Sequence, residues 1–137
     1  FEVLVGEILV NHGYDVTLNH RTPASEPFRV REIDILARND KENILMPVEV
    51  KFYTLGGVTL SRLRDAASYT SNLREFSHKS KPLLVCNTFI NQEHLNWAEN
   101  EFQIHIWDYH ILVQKSGEHR EKLEQFFRKV NPTNYSK

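Results

Sequence analysis

Apolar positions along this chain follow two periods, and the switches between them mark the elements. Phe1, Leu4, Val5, Ile8 and Leu9 recur every three to four residues, which predicts a helix over Phe1–Asn11. Gly13 follows where helices commonly end in a left-handed residue. Tyr14–Leu18 predicts a short strand, and the polar stretch Asn19–Pro27, with Pro23 and Pro27, a loop. Phe28–Arg38 and Ile44–Tyr53 predict two further strands, and Asn39–Asn43 between them reads as a hairpin turn. Pro47 has no N–H for a strand ladder, so it is expected early in its strand or at a bulge.

Past Gly56 and Gly57 the longer period returns. Leu63, Ala66, Ala67, Tyr69 and Leu73 predict a helix over Leu60–Phe76. Leu83–Cys86 is an apolar strand core, and Asn91–Asn100 a helix with Leu95 and Ala98 inward. Ile104–Trp107 predicts a strand that Tyr109–Gln114 is expected to continue, and Gly117–Val130 a last helix with Leu123 and Phe126. Three strands in meander order followed by αβ units imply an α/β fold: a mixed central sheet, helices on both faces and an extra C-terminal helix. There is no internal repeat. Residues 1–130 are expected to form one domain, with 131–137 a polar tail or linker. The chain starts inside a helix, so it is expected to belong to a longer protein.

Composition narrows the field. With 137 residues, 40% apolar and 26% charged, the chain suits one domain with a real core. No apolar run approaches the roughly 18 residues that a membrane helix needs. The single cysteine, Cys86, excludes a disulfide scaffold and a Cys-rich zinc site, and fits a reducing, cytoplasmic setting. The seven histidines show no metal-ligand spacing. A net charge of −1 argues against a wholesale basic nucleic-acid binder. Charge is blocked, however: residues 1–20 carry −3 and residues 51–81 carry +4, so one face can still be positive.

Two segments put charge inside apolar strands: Glu32-Ile33-Asp34-Ile35-Leu36 and Val48-Glu49-Val50-Lys51-Phe52. Charges buried without a partner are costly, so they are usually paired or bound to metal. The hairpin makes the two strands neighbours. A strand's period of two turns Glu49 and Lys51 to one face and Val48, Val50 and Phe52 to the other. Asp34, Glu49 and the main-chain carbonyl of Val50 are oxygen donors suited to Mg²⁺, with Mn²⁺ as a substitute. Lys51 beside them can orient a water and stabilise charge on a phosphate. A structural ion pair without chemistry is the competing reading.

In this context the chain resembles the PD-(D/E)xK, restriction-endonuclease-like nuclease superfamily, and within it the Mrr-like branch. The likeness runs through Phe1-Glu2 and the helix ending in His12-Gly13-Tyr14, the Asp34 and Glu49-Val50-Lys51 strands, and the later half from Leu84 to Asp108. The resemblance implies an αβββαβ core and metal-dependent hydrolysis of DNA, as expected of restriction or phage defence. It gives Asp34 and Glu49 as metal ligands, Lys51 as the catalytic lysine, and Glu2 as the opening-helix glutamate supporting the metal or a second ion. Glu7 falls about 140° away around the helix. Tyr69 fills a tyrosine position of some relatives, without their glutamine. Arg31, Arg62, Arg64 and Arg74, with Tyr69, are the candidate nucleic-acid contacts. A further domain of the same chain and a second copy are candidate partners. An idle binding module on the same fold and an RNA- or junction-processing nuclease are the alternatives.

Overall fold

The computed structural model of the chain describes residues 1–21, 32–53 and 58–130. Helix α1 (Glu2–Asn11) leads into strands β1 (Asp15–Arg21), β2 (Glu32–Asn39) and β3 (Ile44–Lys51). Helix α2 (Leu60–Ser71) and a 3₁₀ turn over Asn72–Phe76 precede β4 (Leu83–Cys86). Then come α3 (Gln92–Phe102), β5 (His105–Trp107), α4 (Tyr109–Ser116) and, after a 3₁₀ turn, α5 (Arg120–Val130). The five strands lie side by side in chain order. The first three are antiparallel; β4 joins β3, and β5 joins β4, in parallel. This is the expected mixed sheet.

Alternation along the strands builds two cores. On one face Ile35, Ala37, Met46, Val48, Leu83 and Val85 pack under Leu4, Val5, Ile8 and Leu9 of α1, Leu112 of α4 and Leu123 of α5. On the other, Leu84, Cys86 and Ile106 meet Leu63, Ala66 and Ala67 of α2 and Leu95 and Ala98 of α3. Helix α1 lies close to the sheet because Gly6 offers no side chain there: a Cβ would stand 3.3 Å from Leu18. Gly13, at φ +94°, ends that helix as expected.

Three sequence expectations change. Strand β1 runs to Arg21 instead of ending at Leu18, because His20 and Arg21 pair with Ile33 and Glu32. Pro47 sits in mid-strand and unbulged, opposite Leu36. N–H groups alternate sides along a strand: Leu45 donates toward His78 and Val50 toward β2. Pro47 therefore turns its missing donor to the β4 side, where pairing begins only at Val48. The third change is α4, predicted as a strand extension. The buried Asp108 caps it, accepting from the Ile111 N–H at 3.3 Å and from the Ile90 N–H at 3.0 Å. The predicted strand residues 28–31 and the tail 131–137 lie outside the described residues.

Candidate active site

The site grows from the place where β2 and β3 separate. Their ladder ends at Ile35 and Val48. One step further, Asp34 replaces the main chain: its Oδ2 accepts the Val50 N–H at 2.9 Å. The carboxylate thus holds the strands together while facing the neighbouring Glu49. Glu49 is 7% exposed. Its carboxyl is pushed up to about 9, first by burial, then by a hydrogen bond to Asp34 and by repulsion from it. Lys51 and the Val50 main chain pull the other way. Burial and the neighbouring Asp34 therefore favour the protonated form of Glu49.

Lys51 shares that face, as the period of two predicts. Its Nζ lies 6.0 Å from the centre of the Tyr69 ring on α2. The next residue, Phe52, turns to the opposite face, where its ring meets Phe1 at 5.6 Å and Phe126 of α5 at 6.3 Å. Phe1 and Phe126 also touch, at 5.9 Å. Three rings thus pin the residue before Glu2 and the residue after Lys51 to one point on α5.

Beside Lys51 lies an open pocket of about 350 Å³, lined by Lys51, Tyr53, Arg62, Asp65, Ala66 and Tyr69. Thr59 fixes the start of α2 by accepting the Arg62 N–H at 3.2 Å. Arg62, Asp65, Ala66 and Tyr69 then stand at i, i+3, i+4 and i+7, on one helical face. The Tyr53 phenol is pushed up to about 12, chiefly by burial, and it lies within electrostatic reach of Glu49, Arg62 and Asp65. The pocket and the carboxyl pair are adjacent.

Glu2 reaches the same neighbourhood. Its carboxyl is raised by burial and by the charges of Asp34 and Glu32. Asn19, at φ +51°, stands between the acids. With its amide oriented to suit its neighbours, Nδ2 donates to Glu2 at 3.1 Å and to Glu32 at 3.2 Å. Glu7 points elsewhere, toward His119 at 3.6 Å and Lys122 at 3.9 Å.

Of the sequence-derived residues, Asp34, Glu49, Lys51, Glu2, Tyr69 and Arg62 come together. Two arginines do not join the pocket lining. Arg64 lies over the Trp97 ring at 5.5 Å. Arg74 donates to the Phe102 and Gln103 carbonyls at 2.6 and 2.9 Å, satisfying the end of α3. Arg31 lies outside the described residues. Sequence reasoning missed Asn19, Tyr53 and Asp65. Asparagine's tolerance of positive φ was the signal for the first. The three-residue step from Arg62 was the signal for Asp65.

No protein-family model and no curated protein matches the chain. Among solved structures it is similar to AF1548, a protein of unknown function. Identity is 20% and the TM-score 0.63, over 85% of this chain and 65% of that one. Vibrio cholerae protein VC1899 is 14% identical with a TM-score of 0.58, over 91% of this chain and 32% of that one. A repair endonuclease from Pyrococcus abyssi matches at 12% identity and a TM-score of 0.49, over 77% and 42% of the two chains. The first two likenesses show a shared fold. This chain spans about two thirds of AF1548 and about a third of VC1899.

Proposed function

We propose that this chain is a metal-dependent nuclease domain that hydrolyses DNA phosphodiester bonds. The restriction or phage-defence setting follows from the Mrr-like resemblance. One observation supports the activity most: the Asp34 and Glu49 carboxyls meet on the face that carries Lys51, beside an open pocket that Lys51 and Arg62 line. A structural ion pair has no need of an unneutralised second carboxyl.

The donor set fits Mg²⁺, or Mn²⁺ in its place. Asp34 and Glu49 offer hard oxygens, the Val50 carbonyl a third, and the open side admits the waters that Mg²⁺ keeps. Among the described residues no three His, Cys, Asp or Glu side chains gather into a ready cage. Two carboxylates, main chain and water are therefore the set this site can offer. When bound, a divalent ion supplies charge that polarises a phosphodiester and lowers the pKa of water.

The chain's own residues do the rest. Loss of the proton that burial favours on Glu49 would free its carboxylate to hold the ion beside Asp34. Lys51 donates from Nζ to the attacking water or to a phosphate oxygen. Water oxygen joins phosphorus and gives up one proton to solvent, the bond to the leaving oxygen breaks, and that oxygen takes one proton from solvent. Glu2, steadied by Asn19, supports the metal or a second ion. Arg62 meets a neighbouring phosphate.

Plasmid cleavage with Mg²⁺ or Mn²⁺, set against EDTA and against Glu49→Ala, tests the reading. Nicking or linearisation that needs both the metal and Glu49 supports it. Cleavage indifferent to EDTA and to Glu49→Ala sinks it. No cleavage of DNA or RNA, with no metal binding by calorimetry, leaves an idle binding module.

A further inference from the structure

The pocket beside the carboxyl pair has more chemistry than a phosphate requires. A backbone phosphate calls for cations and N–H donors, which Lys51 and Arg62 supply. The same wall carries two phenol rings, the Ala66 methyl group and the Asp65 carboxylate. Asp65 repels phosphate, but it accepts well from a sugar hydroxyl or a base N–H. Tyr69 is 44% exposed, so it presents ring surface to the opening. Tyr53 is half-buried and anchored: its N–H goes to Asn87 Oδ1 at 2.8 Å and its carbonyl accepts from Asn87 Nδ2 at 3.0 Å. Rings, cations and a lone acceptor together match a whole nucleotide. The volume of about 350 Å³ is in the range that holds one small ligand.

We propose that this pocket takes a single unpaired nucleotide next to the phosphate to be cut. Tyr69 and Tyr53 lie against its base, Arg62 meets its phosphate, and Asp65 accepts from its base or sugar. A base in continuous duplex is paired and stacked on both sides and enters such a concavity only if extruded. The site therefore favours single strands, flaps and bulges over unbroken duplex. The proposal rests on the nuclease reading for what happens to the adjacent phosphate, and on the pocket alone for binding.

Fluorescence anisotropy in EDTA tests binding without cutting. The probes are one labelled single strand, a blunt duplex of the same sequence, and that duplex with one unpaired nucleotide. The strand and the bulged duplex are expected to bind about tenfold tighter than the blunt duplex, the scale of one base–aromatic stack. Tyr69→Ala and Asp65→Ala each remove most of that preference, while Tyr69→Phe keeps the ring and the preference. Equal binding of strand and blunt duplex overturns the proposal, and so do variants that weaken every probe alike. A protein that grips the strand through this pocket yet never cuts with Mg²⁺ overturns the nuclease reading and leaves this one standing. Faster cutting of blunt duplex than of strand does the reverse.

Discussion

The two faces of β2 and β3 are built from adjacent residues and serve opposite ends. On one, Ile35 and Val48 are fully buried in a core shared with α1, α4 and α5. On the other, Asp34 and Glu49, each one residue away, bring two carboxyls together. The apolar face provides cohesion, and it fixes the backbone from which the charged face projects. A poorly solvated pair of carboxyls is tolerable because the strands beneath it are clamped from behind.

Substitutions on the two faces separate these roles. The largest effect is expected at the charged face. Asp34→Ala or Glu49→Ala drops metal-dependent plasmid cleavage to the level seen in EDTA. Its neighbour Ile35→Ala costs about 3 kcal/mol of unfolding free energy in urea melts, yet the folded fraction still binds metal. If Ile35→Ala abolishes metal binding in folded protein, the faces are not separable.

The pH dependence of stability sharpens the contrast. The Glu49 pKa is raised from 4.5 unfolded to about 9 folded. Its stabilising contribution is therefore complete below 4.5 and is lost as pH climbs to about 9, because the unfolded carboxyl releases its proton first. Without divalent ions the melting temperature should fall across that window. Glu49→Gln should flatten the fall, and Mg²⁺ should restore stability most at the alkaline end. A melting temperature unchanged by Glu49→Gln at every pH breaks the account of a raised Glu49 pKa.

Smaller effects lie further out. Phe126→Ala removes the ring that joins Phe1 to Phe52 and should cost about 2 kcal/mol in thermal melts. It should also weaken metal affinity by calorimetry, because both ends of the site lose their backing. Arg74→Ala should cost about 1 kcal/mol, through the α3 carbonyls it satisfies, and leave DNA affinity unchanged in anisotropy titrations. A large loss of DNA affinity there moves the contact surface toward α3.

Much of this contrast was legible in the residues. A period of two puts Glu49 and Lys51 on one face, and the hairpin brings Asp34 beside them. The helix at Leu60 and the strand at Leu83 follow from apolar spacing alone. What escaped depends on contacts far apart in sequence. Tyr109–Gln114 alternates well enough to pass for a strand, but Asp108 supplies a cap and the chain turns helical. Arg62, Arg64 and Arg74 are alike as letters. Only the packing of α2 and the 3₁₀ turn after it on α3 sends Arg64 to Trp97 and Arg74 to a helix end. Asn19 could be suspected of a left-handed turn from its residue type, but its role follows from where β1 brings it, between acids of α1 and β2.

The Asp34 carboxylate also works as a hinge pin. It takes the Val50 N–H at the point where β2 and β3 part, so one side chain both ties the strands and faces Glu49. Alanine at position 34 removes the pin and the charge together, leaving a main-chain donor unpaired. Asparagine keeps an acceptor oxygen for Val50 while discarding the charge. Asp34→Asn is therefore expected to keep the fold and the shape of the site while losing the metal affinity proposed for it.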